Sequence, residues 1–175
     1  MKLKNILNES LDLIKNKEFE KALKNLEQIE NKNSKVYFLI GSIFLSLKKI
    51  DLAENNLLLA YKLNENNYSI LNNLGIISNI KGDIKNTKRY FLKAIRIEEN
   101  IETLSEIGRI YKQEKDFKTA ENYFQMVLSK NANHQKTNKL LGEMYLEINE
   151  IQKGWKHNHR ATGLIRFSEK GVEII

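Results

Sequence analysis

Four glycines recur through the chain at steps of 34, 33 and 34 residues: Gly41, Gly75, Gly108 and Gly142. Each follows an aliphatic residue (Ile40, Leu74, Ile107, Leu141), and three stand three residues before an aromatic (Phe44, Tyr111, Tyr145). Twelve residues after each glycine comes a small side chain, Ala53, Thr87, Ala120 or Gly154, and four residues further on stand Leu57, Phe91, Phe124 and Asn158. A first unit fits more loosely, with Ser10, Leu13, Ala22 and Leu26 in the corresponding places and a 31-residue step from Ala22 to Ala53. A period of this length restricts the architecture sharply, because one period is one supersecondary unit that buries its apolar face only by stacking on its neighbours.

Within a unit the apolar spacing is helical. Ile101, Leu104, Ile107, Gly108 and Tyr111 share one face, Lys115 and Asp116 interrupt it, and Phe117, Ala120, Phe124 and Val127 form a second face. Each unit therefore reads as a helix–turn–helix. An acid lies at the start of every second helix, in Lys17-Glu18-Phe19, Lys49-Ile50-Asp51, Gly82-Asp83-Ile84, Lys115-Asp116-Phe117 and Asn149-Glu150-Ile151, where the helix dipole favours negative charge. This structural role accounts for Asp51, Asp83 and Asp116 without catalysis. Glycine inside a helix costs about 1 kcal/mol relative to alanine, so its recurrence at one phase predicts a close helix approach, with Ala53, Thr87 and Ala120 as the expected partners.

The runs Leu71-x-x-Leu74-Gly75…Phe91-x-x-Ala94 and Leu104-x-x-Ile107-Gly108-x-x-Tyr111…Ala120-x-x-x-Phe124 resemble the tetratricopeptide repeat family, as does the turn Lys81-Gly82-Asp83-Ile84. The resemblance covers residues 3–163. It departs from the family pattern in having no proline between repeats, an early aromatic only at Tyr37, and Thr87 and Gly154 in place of alanine. It implies an all-α fold, a right-handed α-solenoid of about five helix–turn–helix repeats, with units about 3–33, 34–67, 68–100, 101–134 and 135–163 and a tail over 164–175.

In that family the first helix of each unit lines a concave groove that holds an extended peptide or a partner helix. The resemblance places Leu7, Leu11, Ile14, Lys35, Phe38, Ser42 and Leu45 on the inward face of the first two units, and Ser69, Asn72, Asn73, Ile76 and Asn79 on the third. On the fourth and fifth units it places Glu102, Ser105, Arg109, Lys112, Lys136, Lys139, Glu143 and Leu146. Such a groove is apolar toward its N-terminal end and basic toward its C-terminal end, which suits a partner with apolar anchors and acidic groups. Two known modes of the family fit poorly. The Lys, Asn and Arg clamp for a partner's terminal carboxylate is mostly absent, since those places hold Leu7, Leu11, Leu39, Ser69 and Asn73. An asparagine ladder is matched by Asn73 alone, with Leu39, Glu106 and Leu140 elsewhere. The competing reading makes Leu7, Leu11 and Ile14 a terminal cap on Phe38 or a self-association patch, and so a homo-oligomer interface.

The remaining function classes are narrowed by composition. A net charge of +7 on 175 residues suggests nucleic acid, but 24 Lys against 5 Arg, with 22 Asn and 21 Ile, is the skew that AT-rich coding produces. A phosphate-gripping surface would favour the bidentate guanidinium. A nucleic-acid factor using Arg109, Lys112, Lys136, Lys139, Lys156 and Arg160 is the rival reading. Without cysteine there is no thiolate metal site, disulfide or thiol nucleophile. His157 and His159 project about 200° apart on a helix and so cannot share a metal, while phosphate-loop and nucleophile-elbow motifs are missing. A non-catalytic chain without cofactor or metal is expected, or else an accessory or N-terminal recognition part of a larger enzyme. The longest apolar run, Val36 to Leu47, is 12 residues, short of a membrane span, and Met1 to Glu9 lacks a secretory apolar stretch, so a cytoplasmic location is expected. Gly163 is a helix stop, and Leu164 to Phe167 with Val172 to Ile175 alternate as a hairpin across Ser168-Glu169-Lys170-Gly171, expected to pack on Trp155 or to dock another chain.

Overall fold

The computed structural model describes the backbone of residues 2–163, 165–168 and 171–174, and the side chains of residues 4–163. The described residues form helices in pairs, followed by a two-stranded hairpin. The helices are α1 (Lys2–Lys15), α2 (Phe19–Glu27), α3 (Ser34–Ser46), α4 (Ile50–Leu63), α5 (Tyr68–Ile80), α6 (Ile84–Ile97), α7 (Ile101–Gln113), α8 (Phe117–Lys130), α9 (Gln135–Glu147) and α10 (Ile151–Thr162). Gly163 closes α10 in the left-handed conformation at φ 76°, and β1 (Ile165–Ser168) then pairs antiparallel with β2 (Gly171–Ile174), Ile165 opposite Ile174. The turn residues Glu169 and Lys170, and any packing of the tail's side chains on Trp155, lie outside the described residues. The chain divides into two compact units, Met1–Ile97 with α1 to α6 and Glu98–Ile175 with α7 to α10 and the hairpin.

Every pair reverses direction in the same way. The second residue after each first helix is left-handed: Lys17, Lys48, Gly82, Lys115 and Asn149 have φ between 59° and 74°. In each turn two backbone N–H groups reach back to the helix that has just ended. Lys48 N–H donates to Leu45 O at 3.0 Å and Lys49 N–H to Phe44 O at 2.9 Å, with the same pair at 3.0 and 2.9 Å from Lys115 to Lys112 and from Asp116 to Tyr111. These are Schellman closures, which satisfy orphan carbonyls at a helix end and require a positive φ at one residue. Helix starts are equally regular. Asn33, Asn67 and Asn100 cap α3, α5 and α7 by accepting from backbone N–H groups of Val36, Ile70 and Thr103, and His134 does so for α9 from Thr137. The acids expected at the second helices stand there: the Asp116 carboxylate accepts from Thr119 N–H at 3.1 Å and Asp83 from Asn86 N–H at 3.0 Å.

The recurrent glycines do mark close approach, but the partner differs from the one the spacing suggested. A Cβ on Gly41 would lie 2.7 Å from Leu57 Cγ, one on Gly75 2.5 Å from the Phe91 ring, and one on Gly108 2.6 Å from the Phe124 ring. The large side chain sixteen residues on, rather than Ala53, Thr87 or Ala120, fills the glycine's notch. In the Gly41 pair the backbones also come close, the Ala53 carbonyl oxygen lying 3.2 Å from where that Cβ would stand. In the last pair Asn158 occupies the equivalent place against Gly142.

In the first unit, Ala22, Leu26, Val36, Leu39, Ile40 and Ile43 form one core cluster, and Ala53, Leu57, Ile70, Leu71, Leu74, Ile77 and Ala94 form a second. In the second unit Ala120, Phe124, Leu128, Leu141, Met144 and Tyr145 form the core of α8 and α9. No helix among the described residues is long and apolar enough to cross a membrane.

Candidate interaction surface on the first helices

In the first unit the residues expected to face a partner lie along α1, α3 and α5. Leu7 and Leu11 are half-buried and lean on the Leu26 and Val36 cluster, together with Ile14 and Phe38. Phe38, Ser42 and Leu45 on α3, and Asn72, Asn73, Ile76 and Asn79 on α5, are half-buried as well. The two helices are tied by Asn73 Nδ2, which donates to Ser42 Oγ at 3.1 Å. At one end of this strip a cavity of about 450 Å³ is lined by Asn33, Ser34, Lys35, Phe38, Asn64, Asn67, Ser69 and Ile70. Its floor is held by Ser34 Oγ, which donates to Ala60 O at 2.9 Å. The strip offers one aromatic face, aliphatic edges and uncharged amides, a surface suited to an extended main chain carrying apolar side chains.

In the second unit the cations on α7 and α9 are largely compensated. Glu106 lies at the centre: Arg109 Nε donates to it at 2.8 Å, and Lys136 bonds its other oxygen. Burial raises the Glu106 carboxyl, but the hydrogen bonds from Lys136 and Arg109 outweigh it and hold the group below the usual carboxylate range. Lys112 bonds Glu143 at 3.2 Å. Lys139 is exposed, and no described carboxylate lies within ion-pair distance of it. The second unit thus presents a ladder of paired charges with a small positive surplus. Ser105 is also not on that face: it is fully buried and accepts from Thr137 Oγ1 at 2.9 Å, joining α7 to α9.

Beneath this ladder runs a buried polar chain that the sequence did not announce. Asn138 Nδ2 donates to Ala132 O at 2.9 Å and to His134 O at 3.2 Å, which leaves its Oδ1 to accept from His157 Nδ1 at 2.8 Å and fixes the proton of His157 on Nδ1. The His157 ring stacks on Tyr145 at 5.6 Å, and Tyr145 OH donates to Glu121 at 2.5 Å. Burial, reinforced by the charges of Arg160 and Lys156, pushes the His157 imidazole down to about 4, and burial with the Glu121 hydrogen bond pushes the Tyr145 phenol up. His159 points elsewhere, its ring set edge-on to Trp155 at 5.9 Å. No group of three or more His, Cys, Asp or Glu converges among the described residues in a manner that could hold a metal.

Comparison with known proteins places this geometry in context. The chain is 26% identical over 133 residues to the anaphase-promoting complex subunit CDC16 of Saccharomyces cerevisiae, a match that takes in 71% of this chain and 16% of that protein. Its fold is that of MamA from Desulfovibrio magneticus, with a TM-score of 0.82 at 16% identity over 93% of this chain and 94% of the other. It is likewise that of a chain of the APC/C Cut9–Hcn1 hetero-tetramer, with a TM-score of 0.73 at 19% identity over 88% of this chain and 32% of that one. The sequence model described as tetratricopeptide repeat matches residues 34–67, 68–101 and 101–134, the three pairs in which the glycine notch is filled by Leu57, Phe91 and Phe124. With its period, its notches and its turns agreeing, the chain belongs to the tetratricopeptide repeat family.

Proposed function

We propose that the chain is a non-catalytic scaffold for protein–protein interaction that holds an extended or helical partner segment against its first helices. Membership of the repeat family supports the scaffold role. The binding strip in this reading is Phe38, Ser42, Leu45, Asn72, Asn73, Ile76 and Asn79, with Leu7 and Leu11 serving it from α1. The observation that carries it is the half-buried Phe38 ring at the wall of the 450 Å³ cavity between α3 and α5, where an apolar anchor would be enclosed by asparagines able to bond a main chain. In the second unit, acidic groups on the partner would meet Lys139 first, because Arg109, Lys112 and Lys136 already hold carboxylates.

The test is affinity capture on the full chain at low and high salt, with and without nuclease. The expected result is a protein that survives salt and nuclease and is lost with Phe38→Glu. Loss on nuclease treatment would assign the surface to nucleic acid instead, since phosphate contacts weaken steeply with salt. Unchanged capture by Lys139→Glu, a substitution at an exposed position, would remove the acidic requirement.

A further inference from the structure

The cavity between α3 and α5 has a bias in its hydrogen-bonding groups. Three asparagines line it, and the amide oxygen of each is committed to a nearby backbone. Asn33 Oδ1 accepts from Val36 N–H at 3.1 Å, Asn67 Oδ1 from Ile70 N–H at 3.1 Å, and Asn64 Oδ1 from Asn66 N–H at 3.3 Å. A backbone N–H only donates, so these bonds fix which end of each amide is oxygen and leave the three Nδ2 groups still to be satisfied. No described residue accepts from them. Lys35, exposed on α3, and the Ser69 hydroxyl on α5 can donate too, and neither is engaged by a described residue. Ser34 spends its proton on Ala60 O, which leaves its oxygen as an acceptor. Donors thus outnumber acceptors around the cavity.

The charge has the matching sign. Lys35 is the charged side chain of the lining, and no carboxylate stands with it. An adjoining recess that shares Asn33, Ser34 and Asn64 adds Glu30 and Lys32, whose opposite charges leave the sign unchanged. We infer that this cavity seats a carboxylate side chain, an aspartate or glutamate of the partner segment, beside the apolar residue that covers Phe38. The inference rests on the reading of the first helices as a protein-binding surface and adds the chemistry that this part of it selects. A carboxylate accepts through two oxygens and donates nothing, so it satisfies several Nδ2 groups at once and compensates Lys35. A glutamine in its place brings donors of its own, and a lysine meets donors and a like charge. Phe38 supplies an apolar wall, against which such charge-assisted bonds are stronger than in open water.

The test is a selection on the full chain. A random peptide library, displayed with its C-terminus fused to the carrier so that no terminal carboxylate is free, is panned on the chain and on three variants. These are Phe38→Ala, which removes the wall without adding charge, Lys35→Glu, and Lys85→Glu on α6, which makes the same change of net charge outside the cavity. Unchanged far-ultraviolet circular dichroism shows that each keeps the fold. The expected result is enrichment that depends on Phe38, with an aspartate or glutamate beside an apolar residue in the enriched peptides. Exchanging that acid for its amide should weaken binding about tenfold, as should Lys35→Glu, while Lys85→Glu keeps the preference. The Lys35→Glu chain should select lysine at the same place. Peptides that depend on Phe38 without favouring an acid, or a preference that Lys35→Glu and Lys85→Glu reduce equally, would overturn the inference and leave the protein-binding surface standing. Enrichment found only when the library carries free C-termini would assign the cavity to a chain terminus and overturn it as well. A selection that yields no Phe38-dependent peptide would overturn the surface itself, and the inference with it.

Discussion

Replacing Gly108 with alanine tests the packing rule of the repeat in a single atom. The new Cβ would stand 2.6 Å from Phe124 Cε1 and 2.7 Å from Cδ1, where carbon atoms normally rest at about 3.5–4.0 Å. The ring must therefore retreat by about 1 Å. Phe124 is fully buried, so it retreats only by leaving its rotamer or by pushing α8 away from α7. Overpacking of this kind costs about 1–3 kcal/mol, and alanine returns about 1 kcal/mol as the better helix former. A net destabilisation of about 1 kcal/mol is expected, read as a lower urea midpoint at unchanged slope. A double-mutant cycle of Gly108→Ala with Phe124→Ala, which removes the ring the new Cβ would meet, should give a favourable coupling above about 0.5 kcal/mol. If Gly108→Ala alone raises stability by about 1 kcal/mol, propensity is acting unopposed and the notch is not a constraint.

Acidification should weaken the second unit through His157. Its imidazole, pushed from 6.5 to about 4 in the folded chain, stays neutral there while the unfolded chain takes up a proton, so stability is full above pH 6.5 and falls as the pH drops toward 4. The loss is at most about 3 kcal/mol, and His157→Gln should flatten the stability profile between those limits. Lys115→Gly and Lys48→Gly should each stabilise by up to about 1 kcal/mol in urea unfolding, because both lysines hold a positive φ that glycine adopts without strain; an unchanged midpoint would argue against that strain.

The architecture was legible in the sequence because one packing event, a side chain laid across a glycine, repeats at a fixed distance and leaves a visible trace in Gly41, Gly75, Gly108 and Gly142. The cap residues Asn33, Asn67 and Asn100 repeat at nearly the same step and could have been found the same way, had the abundance of asparagine not masked them. The faces were harder. A first helix is packed on several sides, so only a narrow strip is left outward, and successive residues turn by about 100° on the helix. An error of one position exchanges Ser105, which is buried, with Glu106, which organises the cations. The Asn138–His157 bond joins residues on different helices that share no periodic signal, so only their coordinates reveal it.

The left-handed turns explain how such a chain tolerates its own skewed alphabet. Each helix pair has two positions with special backbone demands, the residue that reverses the chain and the residue that opens the next pair. Because the reversal is secured by main-chain hydrogen bonds, it accepts lysine at three of five places and asparagine at a fourth. The opening position prefers a short polar acceptor, and asparagine is among the best available. Lysine at the reversal is thus held against its own backbone preference by main-chain hydrogen bonds, whereas asparagine at the opening supplies the acceptor the helix start needs, and the repeat keeps its shape with both.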